Sequence, residues 1–151
     1  MTNFHRHVIV PYTAGQMYEL VNDVASYPSF LPWCSGTHIL DQSDARMTAA
    51  IEVSAKGMQR SFTTRNFLTT HEKIEMTLVE GPFKHFSSLW QFKERDDGCC
   101  EITFDMSFAF TNRIMTMLLG KLFHRAATSM VEAFIQRADV LYGKAAGMQA
   151  L

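Results

Sequence analysis

His5 and His7 stand two residues apart on one face of a strand-like segment, so together they could offer a pair of imidazoles to a metal ion. No third ligand follows at a useful spacing. The sequence has no HExxH, no CxxC and no acidic calcium loop, so metal binding is not expected. Cys34 is the next candidate, as a nucleophile. A reactive thiol needs a neighbouring base or a cationic setting. The stretch "SYPSFLPWC" (Ser26–Cys34) supplies prolines and aromatics instead, so the sulfur reads as a small apolar group. Cys99 and Cys100 read as strand residues after a turn. The glycines are scattered, and neither a phosphate-cradling loop nor a GxSxG elbow occurs. Thr64, Asn66 and Ser88 are the polar residues expected to point inward. They could hold the polar head of a ligand, or they could satisfy one another or a buried water. None is a good proton-transfer group. Almost every Asp and Glu falls on the opposite face, which leaves general acid–base catalysis without its carboxylate. The chain is therefore not expected to be an enzyme.

The elements that position these residues follow from periodicity. "HRHVIVPY" (His5–Tyr12) is β-branched and ends at a proline, which predicts a strand. Thr13 is placed to cap a helix that carries Met17, Leu20, Val21 and Val24 at helical spacing. Pro28 closes that helix and leaves room for one short helical turn. From Ser35 to Phe110 the pattern is a series of strands. Met47, Ala49, Ile51 and Val53 alternate on one face, as do Phe62, Thr64, Asn66 and Leu68, then Ile74, Met76 and Leu78. Phe86, Ser88, Trp90 and Phe92 form the next set. Ile102, Phe104, Met106, Phe108 and Phe110 form the clearest one. Alternation of this kind marks antiparallel strands with one buried face and one wet face. Thr111 is read as a second N-cap. Beyond it a helical stripe of Ile114, Met115, Leu118, Leu119, Leu122, Ala126, Met130, Phe134 and Leu141 runs to about Gly143. An unbroken helix of that length would span ~48 Å, more than the ~38 Å expected across a domain of this size. A bend or restart is therefore expected at Gly120. The order predicts an α+β fold of the helix-grip kind, a curved antiparallel sheet of six to seven strands wrapped around a long C-terminal helix. A single domain is expected over residues 1–151, with its core over about 3–143 and a frayed tail at 144–151.

Composition bounds the function classes. The chain is 47% hydrophobic and 19% charged, with twelve phenylalanines and ten methionines. Met suits irregular or adaptable apolar surfaces. A net charge of −1 supplies no global field toward DNA or an anionic membrane. No run reaches the ~18 apolar residues of a membrane span, and the N-terminal segment lacks the apolar core of a signal peptide. Three cysteines, two of them adjacent, do not make a disulfide scaffold, so a reducing cytoplasm is expected.

Three stretches carry a family resemblance. "ELVNDVASYPSFLPWC" (Glu19–Cys34), "VEGPFKHFSSLWQF" (Val79–Phe92) and "FAFTN" (Phe108–Asn112) resemble the coenzyme Q-binding START-like family. The likeness covers about residues 3–143 and is closest to the bacterial branch of ribosome association toxins (RatA), within the polyketide cyclase/dehydrase-like superfamily. It implies a helix-grip fold with an apolar cavity. It also implies non-enzymatic binding of ubiquinone (coenzyme Q) or a related polyprenyl lipid, in support of respiration or quinone biosynthesis, with no cofactor required. The alternative it implies is a regulator that binds the large ribosomal subunit and blocks subunit association; a polyketide cyclase-like enzyme comes third. For the lipid reading, Tyr27, Phe30, Leu31 and Trp33 form a proline-stiffened rim that gates the cup and touches a membrane surface, or a plug that packs against sheet and helix. The strands contribute Met47, Ile51, Phe62, Asn66, Met76, Leu78, Trp90, Phe104, Met106 and Phe108 as ligand contacts; the long helix contributes Leu122, Met130 and Phe134. Whether these residues line a cavity or fill it is not decided by periodicity. For the ribosome reading, Lys56, Arg60, Arg65, Lys84, Lys93, Arg95, Arg113, Lys121 and Arg125 supply cations for RNA phosphates. The expected location is cytoplasmic, with peripheral contact at the inner face of the membrane. No DNA partner is expected.

Overall fold

The alternating segments become seven antiparallel strands in a computed structural model that describes residues 1–55 and 57–143. In chain order these are β1 (Thr2–Val10), β2 (Cys34–Gln42), β3 (Arg46–Ala55), β4 (Met58–Thr69), β5 (Lys73–Glu80), β6 (Phe83–Glu94) and β7 (Cys100–Phe110). Between β1 and β2 lie helix α1 (Ala14–Asn22) and a 3₁₀ helix (Val24–Ser29). After β7 comes helix α2 (Arg113–Ala138), which ends in a π-helical turn (Asp139–Gly143). The sheet order is β1-β7-β6-β5-β4-β3-β2, with β1 and β2 at the edges. The first strand thus pairs with the last, Val8 opposite Ile102 and Phe4 opposite Met106. This is the expected α+β helix-grip architecture, with all seven strands in one sheet.

Register confirms the inward faces. β7 alternates buried and half-buried residues along its whole length. On β6, Phe86, Ser88, Trp90 and Phe92 are all buried, opposite Phe108, Met106, Phe104 and Ile102. At the β5–β6 turn the backbone runs close to β4. A Cβ on Gly81 would stand 2.6 Å from the Phe62 Cβ, so glycine is required there.

The helices are fixed by their caps and their buried faces. Thr13 caps α1 in a reciprocal box with Gln16: the Thr13 hydroxyl accepts from the Gln16 N–H, and the Gln16 side chain accepts from the Thr13 N–H. Pro28 is carried inside the 3₁₀ helix.

Several expectations for α2 and its neighbours are corrected. Its N-cap is Asn112 rather than Thr111; the Asn112 side-chain oxygen accepts from the Met115 N–H at 2.9 Å, while Thr111 donates its N–H to the Pro82 carbonyl. The helix does not restart at Gly120: it runs unbroken over 26 residues, about 39 Å, before the closing π turn. The buried stripe is also displaced: it runs through Leu119, Phe123, Ala126, Ala127, Met130, Val131, Phe134 and Ala138, whereas Ile114, Leu118 and Leu141 are exposed and Leu122 is half-buried. At the other end of the chain β1 begins at Thr2, earlier than the expected His5, because its pairing with β7 extends to Thr2 opposite Phe108. The expected frayed tail and Lys56 lie outside the described residues.

Candidate functional site

The concave face of the sheet and the inner face of α2 enclose an apolar space with an aromatic cluster at each end. At one end, Phe62, Phe83, Phe86, Phe108, Phe110 and Phe123 pack with ring centroids 5.0–6.4 Å apart. At the other, Phe134 is the hub: its ring meets Tyr27, Phe30 and Trp90 edge-on at 5.5, 5.2 and 5.3 Å. Such pairs add about 0.5–1.5 kcal/mol each beyond their buried area. Half of the chain's twelve phenylalanines sit in the first cluster.

Between the clusters remains a cavity of about 40 Å³, lined by Tyr27, Trp33, Ile51, Phe62, Thr64, Met76, Phe86, Ser88, Trp90, Phe104, Met106, Phe123, Ala126, Ala127, Met130 and Phe134. Among the described residues, no carboxylate, imidazole, thiol or amine lines it. Three hydroxyl-bearing residues do, Tyr27, Thr64 and Ser88. The Thr64 hydroxyl donates to Asn66 Oδ1 at 2.9 Å, so this buried pair satisfies itself. Ser88 is 4% exposed, and its hydroxyl has no partner within the protein. Of the three hydroxyls in the described lining it is the one left without a partner.

Ten of the sequence-predicted contact residues are brought together here: Tyr27, Trp33, Ile51, Phe62, Met76, Trp90, Phe104, Met106, Met130 and Phe134. The other seven stand off the cavity. Met47 and Leu31 are buried behind it, Asn66 is turned to Thr64, and Phe108 belongs to the phenylalanine cluster. Phe30, Leu78 and Leu122 are half-buried around it. Sequence reasoning missed Phe86 as a contact, although its place in the β6 alternation could have given it. It also missed Ala126, which lay in the expected stripe but was not taken as a contact, and Phe123 and Ala127, because α2 is turned further than that stripe suggested.

The stretch Ser26–Cys34 is stapled into place. The Tyr27 hydroxyl donates to the Val21 carbonyl at 2.5 Å, and the Leu31 and Cys34 N–H groups donate to the Tyr27 and Leu31 carbonyls. The Ser54 N–H donates to the Trp33 carbonyl and ties the loop to β3. Phe30 is clamped between Phe134 and the Arg137 guanidinium, which lies 5.2 Å from its ring centre. Tyr27 and Leu31 are buried; Phe30 and Trp33 remain partly open to solvent. The stretch therefore plugs the cup with its first half and leaves Trp33 at the margin.

Burial pushes the Tyr27 phenol strongly upward, and likewise raises the Cys34 thiol. Cys100 is pushed up to about 12 for the same reason, with Glu94 adding to it. Neither buried thiol is set up as a nucleophile. On the convex face, His5 Nδ1 meets Asp105 at 2.5 Å and His7 lies 3.8 Å from Glu101, so both strand histidines face carboxylates. Among the described residues, no group of three or more His, Cys, Asp or Glu side chains could hold a metal ion.

A family model described as polyketide cyclase/dehydrase and lipid transport matches residues 10–135. The ribosome association toxin RatA of Escherichia coli (strain K12) is 46% identical over 142 residues, covering 94% of this chain and 90% of that protein. The mitochondrial coenzyme Q-binding protein COQ10 homolog B of Xenopus laevis is 25% identical, covering 90% of this chain and 57% of that protein. The crystal structure of the Zhui aromatase/cyclase from Streptomyces sp. R1128 superposes with a TM-score of 0.79 at 17% identity, covering 94% of this chain and 97% of that one. That last likeness concerns the fold alone.

Proposed function

The chain belongs to the polyketide cyclase/dehydrase and lipid-transport family, on its RatA-like branch, and from that premise we propose that it is a binding protein whose outer surface associates with the ribosome. The observation that carries this reading is the filled cup. Ligand pockets for small molecules span roughly 300–1,000 Å³, while the interior here offers about 40 Å³, room for about one water molecule. A chain with its inside occupied acts through its outside, and the RatA relative supplies the partner. The convex face offers suitable groups. Phe67 is 43% exposed on β4, two residues from Arg65 and directly opposite Arg46 on β3, with Glu75 on the other neighbouring strand. Cations can take up RNA phosphates, and an exposed ring can stack on a base. Arg46, Arg60, Arg65 and Lys84 are exposed, and no carboxylate lies within ion-pair distance of them among the described residues. The absence of acid or base groups from the cavity lining favours binding over catalysis.

The test is sedimentation with purified ribosomal subunits. The chain is expected to travel with the large subunit at low salt and to be released as salt rises. Arg46→Glu with Arg65→Glu is expected to weaken the association without lowering the melting temperature. Failure to travel with either subunit at low salt would sink the reading.

The lipid reading keeps one specific observation in its favour, the unpartnered Ser88 hydroxyl in an apolar lining rich in Met. The carbonyl oxygen of a polyprenyl quinone could accept a hydrogen bond from that hydroxyl, but only after Phe and Met side chains move aside. Methionine's flexible side chain allows such movement at modest cost.

A further inference from the structure

The half of α2 that faces away from the cup carries an arrangement apart from the sheet cations around Phe67, and its apolar part has no role in binding RNA phosphates. Its first turns expose Ile114 (65%), Met117 (78%) and Leu118 (41%). Isolated exposed apolar residues are ordinary, but contiguous ones mark a contact surface. At 100° per residue these three share an arc of the helix with Arg113, Lys121, His124 and Arg125, all exposed. Met1, also exposed, joins the patch across a shallow groove with Thr116, Gly120 and His124. No carboxylate occurs on α2 before Glu132, and Glu132 is engaged by Arg6. A chain of net charge −1 therefore presents one helical surface with three fixed cations, no anion on the helix before the paired Glu132, and a cluster of bulky aliphatic side chains at its start.

We propose that this outer face of α2 docks onto an anionic phospholipid bilayer. The chemistry of both halves of the patch selects that occupant. Lys and Arg are drawn to the negative lipid headgroups, and exposed Ile, Met and Leu side chains gain by entering the boundary between headgroups and acyl chains. An RNA surface would match the cations but leave the aliphatic side chains without a use, since they have no π face to stack on a base. The helix lies along the membrane surface and does not cross it, in keeping with the finding that no described helix is long and apolar enough to span a bilayer. Docking also places the bilayer against the outer side of the segment whose inner side, through Phe123, Ala126 and Ala127, lines the cavity.

The experiment is vesicle flotation of the full chain, with phosphatidylcholine vesicles alone or mixed with phosphatidylglycerol. Binding is expected on the mixed vesicles at low salt and not on phosphatidylcholine alone. Lys121→Gln with Arg125→Gln is expected to weaken it on the order of 30-fold, from two lost headgroup attractions. Met117→Asp is expected to abolish it. All three positions are exposed, so the melting temperature serves as a control that should stay unchanged. Three results would overturn the proposal: no flotation on either vesicle, equal flotation on both, or flotation that the charge variant weakens while Met117→Asp leaves it intact. The last would mark a surface for a polyanion such as RNA.

Discussion

Tyr27 joins more of the molecule than any other residue of its loop. Its ring abuts Phe30 and Phe134, and its hydroxyl reaches back to the Val21 carbonyl at the end of α1. Tyr27→Phe keeps the ring but leaves that contact unmade. It is expected to cost about 1 kcal/mol, read as a small drop in the urea midpoint with an unchanged slope. Tyr27→Ala removes the plug and should cost about 3–5 kcal/mol. Trp33, partly open at the margin of the cavity, should behave differently: Trp33→Ala is expected to lower the melting temperature far less than Tyr27→Ala. The thiols offer a second residue-scale check. A thiolate is the reactive form, and burial raises Cys34 and holds Cys100 at about 12, so both stay protonated and shielded at pH 8. A chromogenic disulfide reagent should therefore label at most one cysteine rapidly in the native protein, the partly exposed Cys99, and all three after denaturation. Rapid labelling of Cys34 would contradict the packing described here.

At the scale of elements, strands and helices differed in how openly they announced themselves. A strand has only two faces, so the alternation of Ile102, Phe104, Met106, Phe108 and Phe110 left one orientation available, and the structure adopts it. The long helix had several. Apolar residues occur on both sides of its first half, and periodicity took Ile114, Leu118 and Leu122 as core alongside Leu119, when the fold buries Leu119 with Phe123 and Ala127. A contact surface written in apolar residues is indistinguishable from core by periodicity alone. The expected break at Gly120 failed for a related reason. Glycine lowers helix propensity by about 1 kcal/mol relative to alanine but does not end a helix held by packing on its other face. A Cβ there would meet only Thr116, at 3.8 Å. Gly120→Ala is accordingly expected to stabilise the protein by about 0.5–1 kcal/mol, and Asn112→Ala to destabilise it by about 1 kcal/mol through loss of the cap. Both are readable from thermal or denaturant unfolding, and a destabilised Gly120→Ala would indicate that the helix is less regular in solution.

For the whole molecule, the antiparallel sheet and its inward faces were legible because alternation is a local rule repeated along the strands, whereas the pairing of β1 with β7 joins distant segments and was not read from the sequence. The volume left inside was not, because it is a small difference between the space a curved sheet encloses and the summed side chains that enter it. Twelve phenylalanines and ten methionines are compatible with a wide cup or a full one. Here two aromatic clusters close on each other until about 40 Å³ remains. Truncating one wall should therefore create a pocket, not merely enlarge one. Phe123→Ala removes a ring that lines the cavity and touches four other phenylalanines. It is expected to cost about 3–5 kcal/mol and to raise the uptake of a fluorescent apolar probe. The native chain should show little such uptake, and organic extraction from a respiring host should yield no stoichiometric lipid. A stoichiometric polyprenyl quinone in the native extract would mean that the clusters part readily to admit a ligand. The Ser88 hydroxyl would then be the group to mutate, because it is the one hydroxyl of the described cavity lining with a hydrogen bond still to make.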